Sequence, residues 1–249
     1  DWDDVRHFFP KVLRRIKSDI LKIPRRRIDK KKCTYSLKYS AQKLHLRLQN
    51  FSENELTPLS EAHIAVINNF LSHKFDLLGS GWVQFKYGQL PTGIENIRYL
   101  NHEEINADQR GNWLKGKINS SNLSESMSIW ENISFPYSPI DWQVDIKSGY
   151  RWGENNWSRD IKLVGPLGTD IKAPWELARM QHLSQLAVHY AANKGNNSSI
   201  DIEEIPREFR NQILDFIATN PPRYGANWIC TMDVAIRSSN WIFSFNFTN

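Results

Sequence analysis

The chain has 249 residues, 32 Lys and Arg against 27 Asp and Glu for a formal charge of +5, and a heavy aromatic load of ten Trp, twelve Phe and eight Tyr. It is long enough to bury a real core in one large domain or two small ones. Two distant cysteines, Cys33 and Cys230, exclude a disulfide-rich scaffold and a structural zinc site, and no apolar stretch approaches the roughly 20 residues that cross a bilayer.

The charge is an N-terminal property. Residues 1–32 hold 12 Lys or Arg against 5 Asp, whereas the other 217 hold 20 basic and 22 acidic residues. Arg25-Arg26-Arg27 and Lys30-Lys31-Lys32 form the densest cluster, which reads as a solvated face or a flexible arm, or as a surface that touches an anionic polymer, phospholipid or nucleic acid. No zinc-finger spacing, heptad repeat or aromatic-interleaved basic sheet accompanies it, so specific nucleic-acid reading is not indicated. Val5 to Leu21 reads as a basic helix, and residues 1–55 as a basic helical segment ahead of a domain over 56–249.

A second helix is expected from Thr57-Pro58, a cap followed by proline at the first position, to about His73, with glycines 79 and 81 beyond it. Val83, Phe85 and Tyr87 alternate with polar neighbours and predict a short strand. Gly88 to Ser138 is polar and weakly periodic, which predicts loops with a brief helix. Pro174 opens one helix running to Gly195, with Leu177, Met180, Leu183, Leu186, Ala187 and Tyr190 on its buried stripe. Pro206 opens the next, with Phe209, Ile213, Phe216 and Ile217 inward, and Asn220-Pro221-Pro222 stops it. A last helix starts near Asn227. Short connections between consecutive helices predict antiparallel hairpins. The ending at Asn249, without a charged tail or glycine cap, reads as a truncation, and the start at Asp1, with no signal peptide, leaves the compartment open.

The last helix carries the most information. Asp233, Arg237, Asn240 and Ser244 fall at spacings of four, three and four, one narrow polar stripe on an otherwise apolar helix. Such a stripe either seals a buried polar network or lines a cavity for a polar ligand. A buried Asp233–Arg237 pair is costly unless well hydrogen-bonded, and an arginine lining a groove suits a carboxylate or sulfate. Glu176 and Arg179 read as a helix-surface ion pair or a groove wall. His182 and His189, seven apart, are too widely spaced to share a metal without further ligands. No phosphate loop, dinucleotide fingerprint or nucleophile elbow is present, so no metal or cofactor is expected. The two thiols are expected to be buried rather than bridged. The aromatics read as a large core, with sugar-stacking platforms as the alternative.

Four segments in order resemble the N-terminal region of the heparinase II/III-like polysaccharide lyases: His73 to Gly81 (HKFDLLGSG), Ile140 to Trp152 (IDWQVDIKSGYRW), Asp170 to Leu183 (DIKAPWELARMQHL) and Asn220 to Phe243 (NPPRYGANWICTMDVAIRSSNWIF). The resemblance implies a mainly α fold, an incomplete (α/α) toroid of antiparallel helical hairpins with long irregular loops, normally followed by a β-sandwich. It implies cleavage of uronic-acid-containing glycans by β-elimination, in which a neutral or cationic group quenches the uronate and a tyrosine or histidine takes the C5 proton. It also implies a periplasmic or secreted setting. The family's Asn-His segment and catalytic tyrosine come further along the toroid, so Tyr150, Tyr190 and Tyr224 map onto no catalytic position. What carries over is a groove wall: Arg237, Asp233 and Asn240 first, then Arg179 and Glu176, with Trp142, Arg151 and Trp152 as sugar-stacking or docking residues or as pins of a structural loop. The chain is expected to be inactive alone, its partners an acidic polysaccharide and the rest of the toroid and β-sandwich. A non-catalytic acidic-glycan-binding or polysaccharide-assembly module is the alternative.

Overall fold

A computed structural model describes residues 22–35, 61–100, 103–194 and 200–248. The expected Val5 to Leu21 helix and the Thr57-Pro58 helix start lie outside these residues. The fold is mainly helical. The chain is helical over 22–31 (α1), then forms α2 (Glu61–Leu71), a hairpin of β1 (Lys74–Asp76) and β2 (Trp82–Gln84), α3 (Ser120–Trp130), α4 (Lys172–Ala178), α5 (Gln181–Asn193), α6 (Glu204–Thr219) and α7 (Thr231–Thr248). The hairpin pairs antiparallel with Phe75 opposite Val83. Its second strand ends before Phe85 and Tyr87, and its first has no periodicity to announce it. The polar stretch after Gly88 holds the 11-residue helix α3.

The main core lies where α2 and the hairpin meet α5 and α6, with Phe75, Phe85, Leu183, Leu186 and Phe216 at its centre. Full burial of each such side chain is worth about 1.5–3 kcal/mol. A second cluster gathers Trp113, Leu114, Trp130 and Ile133 around α3. Ser134 N donates to Asn211 Oδ1, while Tyr35 Oη joins Ser126 to Ile217 O, so α3 runs antiparallel to α6.

The helix expected from Pro174 to Gly195 is broken. Met180 adopts φ 53° and ends α4 before α5 begins. A left-handed methionine is costly, and neither glycine nor proline marks the break. Its compensation lies on α7. Arg237 Nη1 donates to Ala178 O at 3.0 Å, Asn240 Nδ2 to Arg179 O at 2.8 Å, and Trp241 Nε1 points at Met180 Sδ at 2.9 Å. Further along, the Ser184 hydroxyl reaches Asn240 and Ser244. Partners rise together along both chains, so α5 and α7 run parallel and α6 is the return leg between them.

Two glycines are fixed by close backbone approach. Gly225, at φ 76°, leaves no room for a Cβ beside the Gln143 side chain, and Gly149, at φ 80°, leaves none beside Pro91 and Tyr99 O. Both cysteines are free, but Cys33 is exposed and Cys230 half-buried, so the expectation of two buried thiols fails: Cys33 lies in the exposed segment just past α1.

Candidate functional site

The α7 stripe faces the α4–α5 break rather than open space. Arg237 is 2% exposed, and besides Ala178 O it donates to Asn227 O at 3.3 Å. Its guanidinium lies over Phe216 at 4.3 Å and Trp228 at 5.5 Å. Burial pulls its pKa down to about 10, against the pull of the nearby Asp233. Asp233, also buried, pairs not with Arg237 but with Arg179, whose Nε donates to Oδ1 at 2.7 Å. Arg179 joins Glu176 through Nη1. The expected Asp233–Arg237 pair is therefore replaced by a chain of Glu176, Arg179 and Asp233 across the helix seam. Helical spacing shows which residues share a face but not which element meets it.

The loop candidates are also enclosed. Trp142 is 1% exposed and meets Phe216 edge-on; Trp152 is 4% exposed and packs on Tyr150. Of the two readings for these rings, the packing fits pins of a structural loop, although Trp152 also lines the groove beside α1. Arg151 grips Asp141 and Glu154 with paired hydrogen bonds and lies 4.6 Å over the Tyr87 ring. Burial would raise Glu154, but Arg151 holds it below the usual carboxylate range, while burial keeps Asp141 raised despite the same partner.

These segments bond to one another. Gln143 Nε2 donates to Asn220 Oδ1 at 2.7 Å, Asn227 Nδ2 to Trp142 O at 2.8 Å, and Ala226 N to Gln143 Oε1 at 2.9 Å. Trp175 Nε1 donates to Ala226 O, Asp170 N to Asp145 Oδ2, and Lys147 Nζ to Leu78 O. The four sequence segments that share the resemblance thus meet in one interlocked unit.

An open cleft of about 380 Å³ lies between the hairpin and the α4–α5 pair. Trp82, 44% exposed and braced edge-on by Phe70, stands on one wall with Asp76. Glu176, Gln181 and Gln185 line the other, and His182 lies at the floor. An aromatic face with Asp76 beside it and a carboxylate and two amides opposite suits the apolar face and the hydroxyls of a sugar. Of the sequence candidates only Glu176 lines this cleft. Trp82, Gln181 and Gln185 escaped the sequence reading; the one signal was a tryptophan directly after Gly79-Ser80-Gly81, at a hairpin tip.

Behind the floor, α6 carries a polar layer. His182 Nε2 meets Gln212 Oε1 at 2.7 Å, Gln212 Nε2 donates to Glu208 Oε1 at 2.9 Å, and His73 Nε2 meets the same oxygen at 2.6 Å. Tyr137 Oη and Ile140 N donate to Asp215 Oδ2. Burial pushes Asp215 up to about 7 and pulls His182 down to about 4, each against its hydrogen bonds. His182 is thus neutral at pH 7.

A second groove runs between α1 and the 150–166 loop, lined by Arg26, Lys30, Lys162, Asn155 and Asn156. Asp29 anchors α1 there: Arg223 grips it with two hydrogen bonds and Trp157 Nε1 donates at 2.9 Å. Burial would raise Asp29, but these donors hold it low. Among the described residues no three His, Cys, Asp or Glu gather to hold a metal ion, and no helix is long and apolar enough to cross a membrane. No protein-family model, curated protein or solved structure matches this chain.

Proposed function

We propose that this chain is the N-terminal scaffold and one groove wall of a polysaccharide lyase, an incomplete (α/α) toroid acting on uronic-acid-containing glycans. The observation that carries the reading is the interlock: the four segments of the resemblance bond to one another, and two of them, 73–81 and 170–183, supply most of the cleft. The parallel α5 and α7 with α6 between them suit consecutive toroid hairpins. The outer face of α7 exposes Met232, Ile242 and Phe245, which suits cover by further helices.

In this reading Trp82 stacks on a sugar ring, while Glu176, Gln181, Gln185 and Asp76 accept or share hydroxyl hydrogen bonds. The catalytic asparagine, histidine and tyrosine belong to the rest of the toroid and the β-sandwich. Arg237, Asp233 and Asn240 lie outside the cleft and serve stability, closing the α4–α5 break from α7.

The alternative is a non-catalytic acidic-glycan module. It is favoured by the cleft's lining, which includes no tyrosine among the described residues and a histidine that burial makes a weak base and whose Nε2 already meets Gln212. One experiment separates the two. This chain, and a version extended to the natural end of its gene, are incubated with a panel of acidic polysaccharides and followed by the ultraviolet absorbance of the unsaturated uronate. Absorbance from the extended protein, lost with Trp82→Ala, supports the lyase. Binding without product supports the module. Neither binding nor product from either version would refute both.

A further inference from the structure

Beside the groove between α1 and the 150–166 loop, cations and aliphatic side chains lie side by side. Arg26 and Lys30, one helical turn apart on α1, form one wall of the second groove. Lys162 and Val164, on the opposite loop, form the other. Asp160 pairs with Arg26 at 2.6 Å and is the groove's lining carboxylate. Arg25, Arg159 and Arg223 continue the basic surface around Trp157. Directly after Lys162 the loop turns outward with Leu163 57%, Val164 87% and Leu167 80% exposed. It is held in that pose: Tyr99 Oη donates to Leu167 O at 2.8 Å, and Thr169 Oγ1 to Pro166 O at 2.7 Å.

We infer that this face docks the protein on an anionic lipid surface, with Leu163, Val164 and Leu167 entering the headgroup–acyl boundary and the α1 and Lys162 cations facing the phosphates. Three aliphatic tips fixed in water are unfavourable, and each gains by entering an apolar layer. Cations beside them gain from the negative potential of anionic lipid. A soluble polyanion would engage the cations but leave the aliphatic tips in water. The combination therefore selects a surface that is both charged and oily.

The test is co-sedimentation of the intact chain with vesicles of phosphatidylcholine alone or phosphatidylcholine mixed with phosphatidylglycerol. Binding is expected to the anionic vesicles only, weakening as salt rises. Val164→Asp with Leu167→Asp, and separately Arg26→Glu with Lys30→Glu, should each weaken it roughly tenfold or more. Val164→Trp should tighten it, which keeps the test decisive if an acidic variant misfolds. The inference is overturned if neutral and anionic vesicles bind alike, if neither binds, or if the loop variants sediment as the parent does. The last result, with dextran sulfate competing fully, would assign the face to soluble polyanions through charge alone.

Discussion

Charged side chains do opposite work in two regions of this molecule. In the seam between α4–α5 and α7, Arg237 is 2% exposed and its donors end on two backbone carbonyls, while Asp233 Oδ1 accepts from Arg179. In the groove beside α1, Lys30 and Lys162 stand at the surface. What separates them is who absorbs the donors: a broken helix offers carbonyls that need partners, whereas a loop and a helix facing water offer few. A charged residue in an apolar helix is thus evidence of a missing bond elsewhere as much as of a ligand.

The comparison breaks first at Arg237. Arg237→Ala should cost about 3–5 kcal/mol by orphaning Ala178 O and Asn227 O and opening a cavity, lowering the melting temperature by on the order of 10 °C in a thermal scan. Gly225→Ala should cost about 2–4 kcal/mol through its strained φ and the Gln143 contact, with calorimetric unfolding as the check. A similar cost is expected for Arg179→Ala, about 2–4 kcal/mol, because its guanidinium is partly exposed but its loss leaves the buried Asp233 carboxylate without a charge partner. Lys30→Ala should change stability by less than about 0.5 kcal/mol, and a large loss there would erase the contrast.

The polar layer on α6 gives a pH signature. Asp215 in the folded state holds its proton up to about pH 7, well above its ordinary value of 3.8. The folded state therefore binds the proton more tightly, and this contribution to stability is lost as pH rises from about 4 to about 7. His182, lowered to about 4 from 6.5, works the other way and costs stability as pH falls through that range. Asp215→Asn should remove the first effect alone. Relative to the parent, its melting temperature should improve steadily between pH 4 and 7; a constant difference would contradict the assignment.

The sequence announced the α7 stripe through spacing alone, and the helices around Pro206 and Asn220-Pro221-Pro222 through punctuation. It hid the break at Met180, because apolar periodicity runs straight through it and no glycine or proline stands there. Without the break, the partners of Arg237 and Asn240 could not be named. Asp29 carried a signal that went unread: it is the lone acid between Lys22 and Lys32, and it is the residue that ties α1 to Arg223 and Trp157. Trp142 and Trp152 left platform and pin both open, because tryptophans in a polar loop read alike whether exposed or not; burial depends on contacts with Phe216 of α6 and with Tyr150. Trp82 was missed because the alternation of Val83, Phe85 and Tyr87 starts one residue after it, so it read as the end of a turn.

The most direct test of this division of labour is a calorimetric titration of uronate-containing oligosaccharides into Arg237→Met and Trp82→Ala, side by side, at a temperature where both are folded. Arg237→Met is expected to bind as the parent does although it melts earlier. Trp82→Ala is expected to melt within a few degrees of the parent but lose roughly tenfold or more in affinity, the scale of a lost stacking contact. Affinity lost in Arg237→Met and kept in Trp82→Ala would contradict the account, returning the polar stripe to the binding groove and removing the hairpin cleft from it.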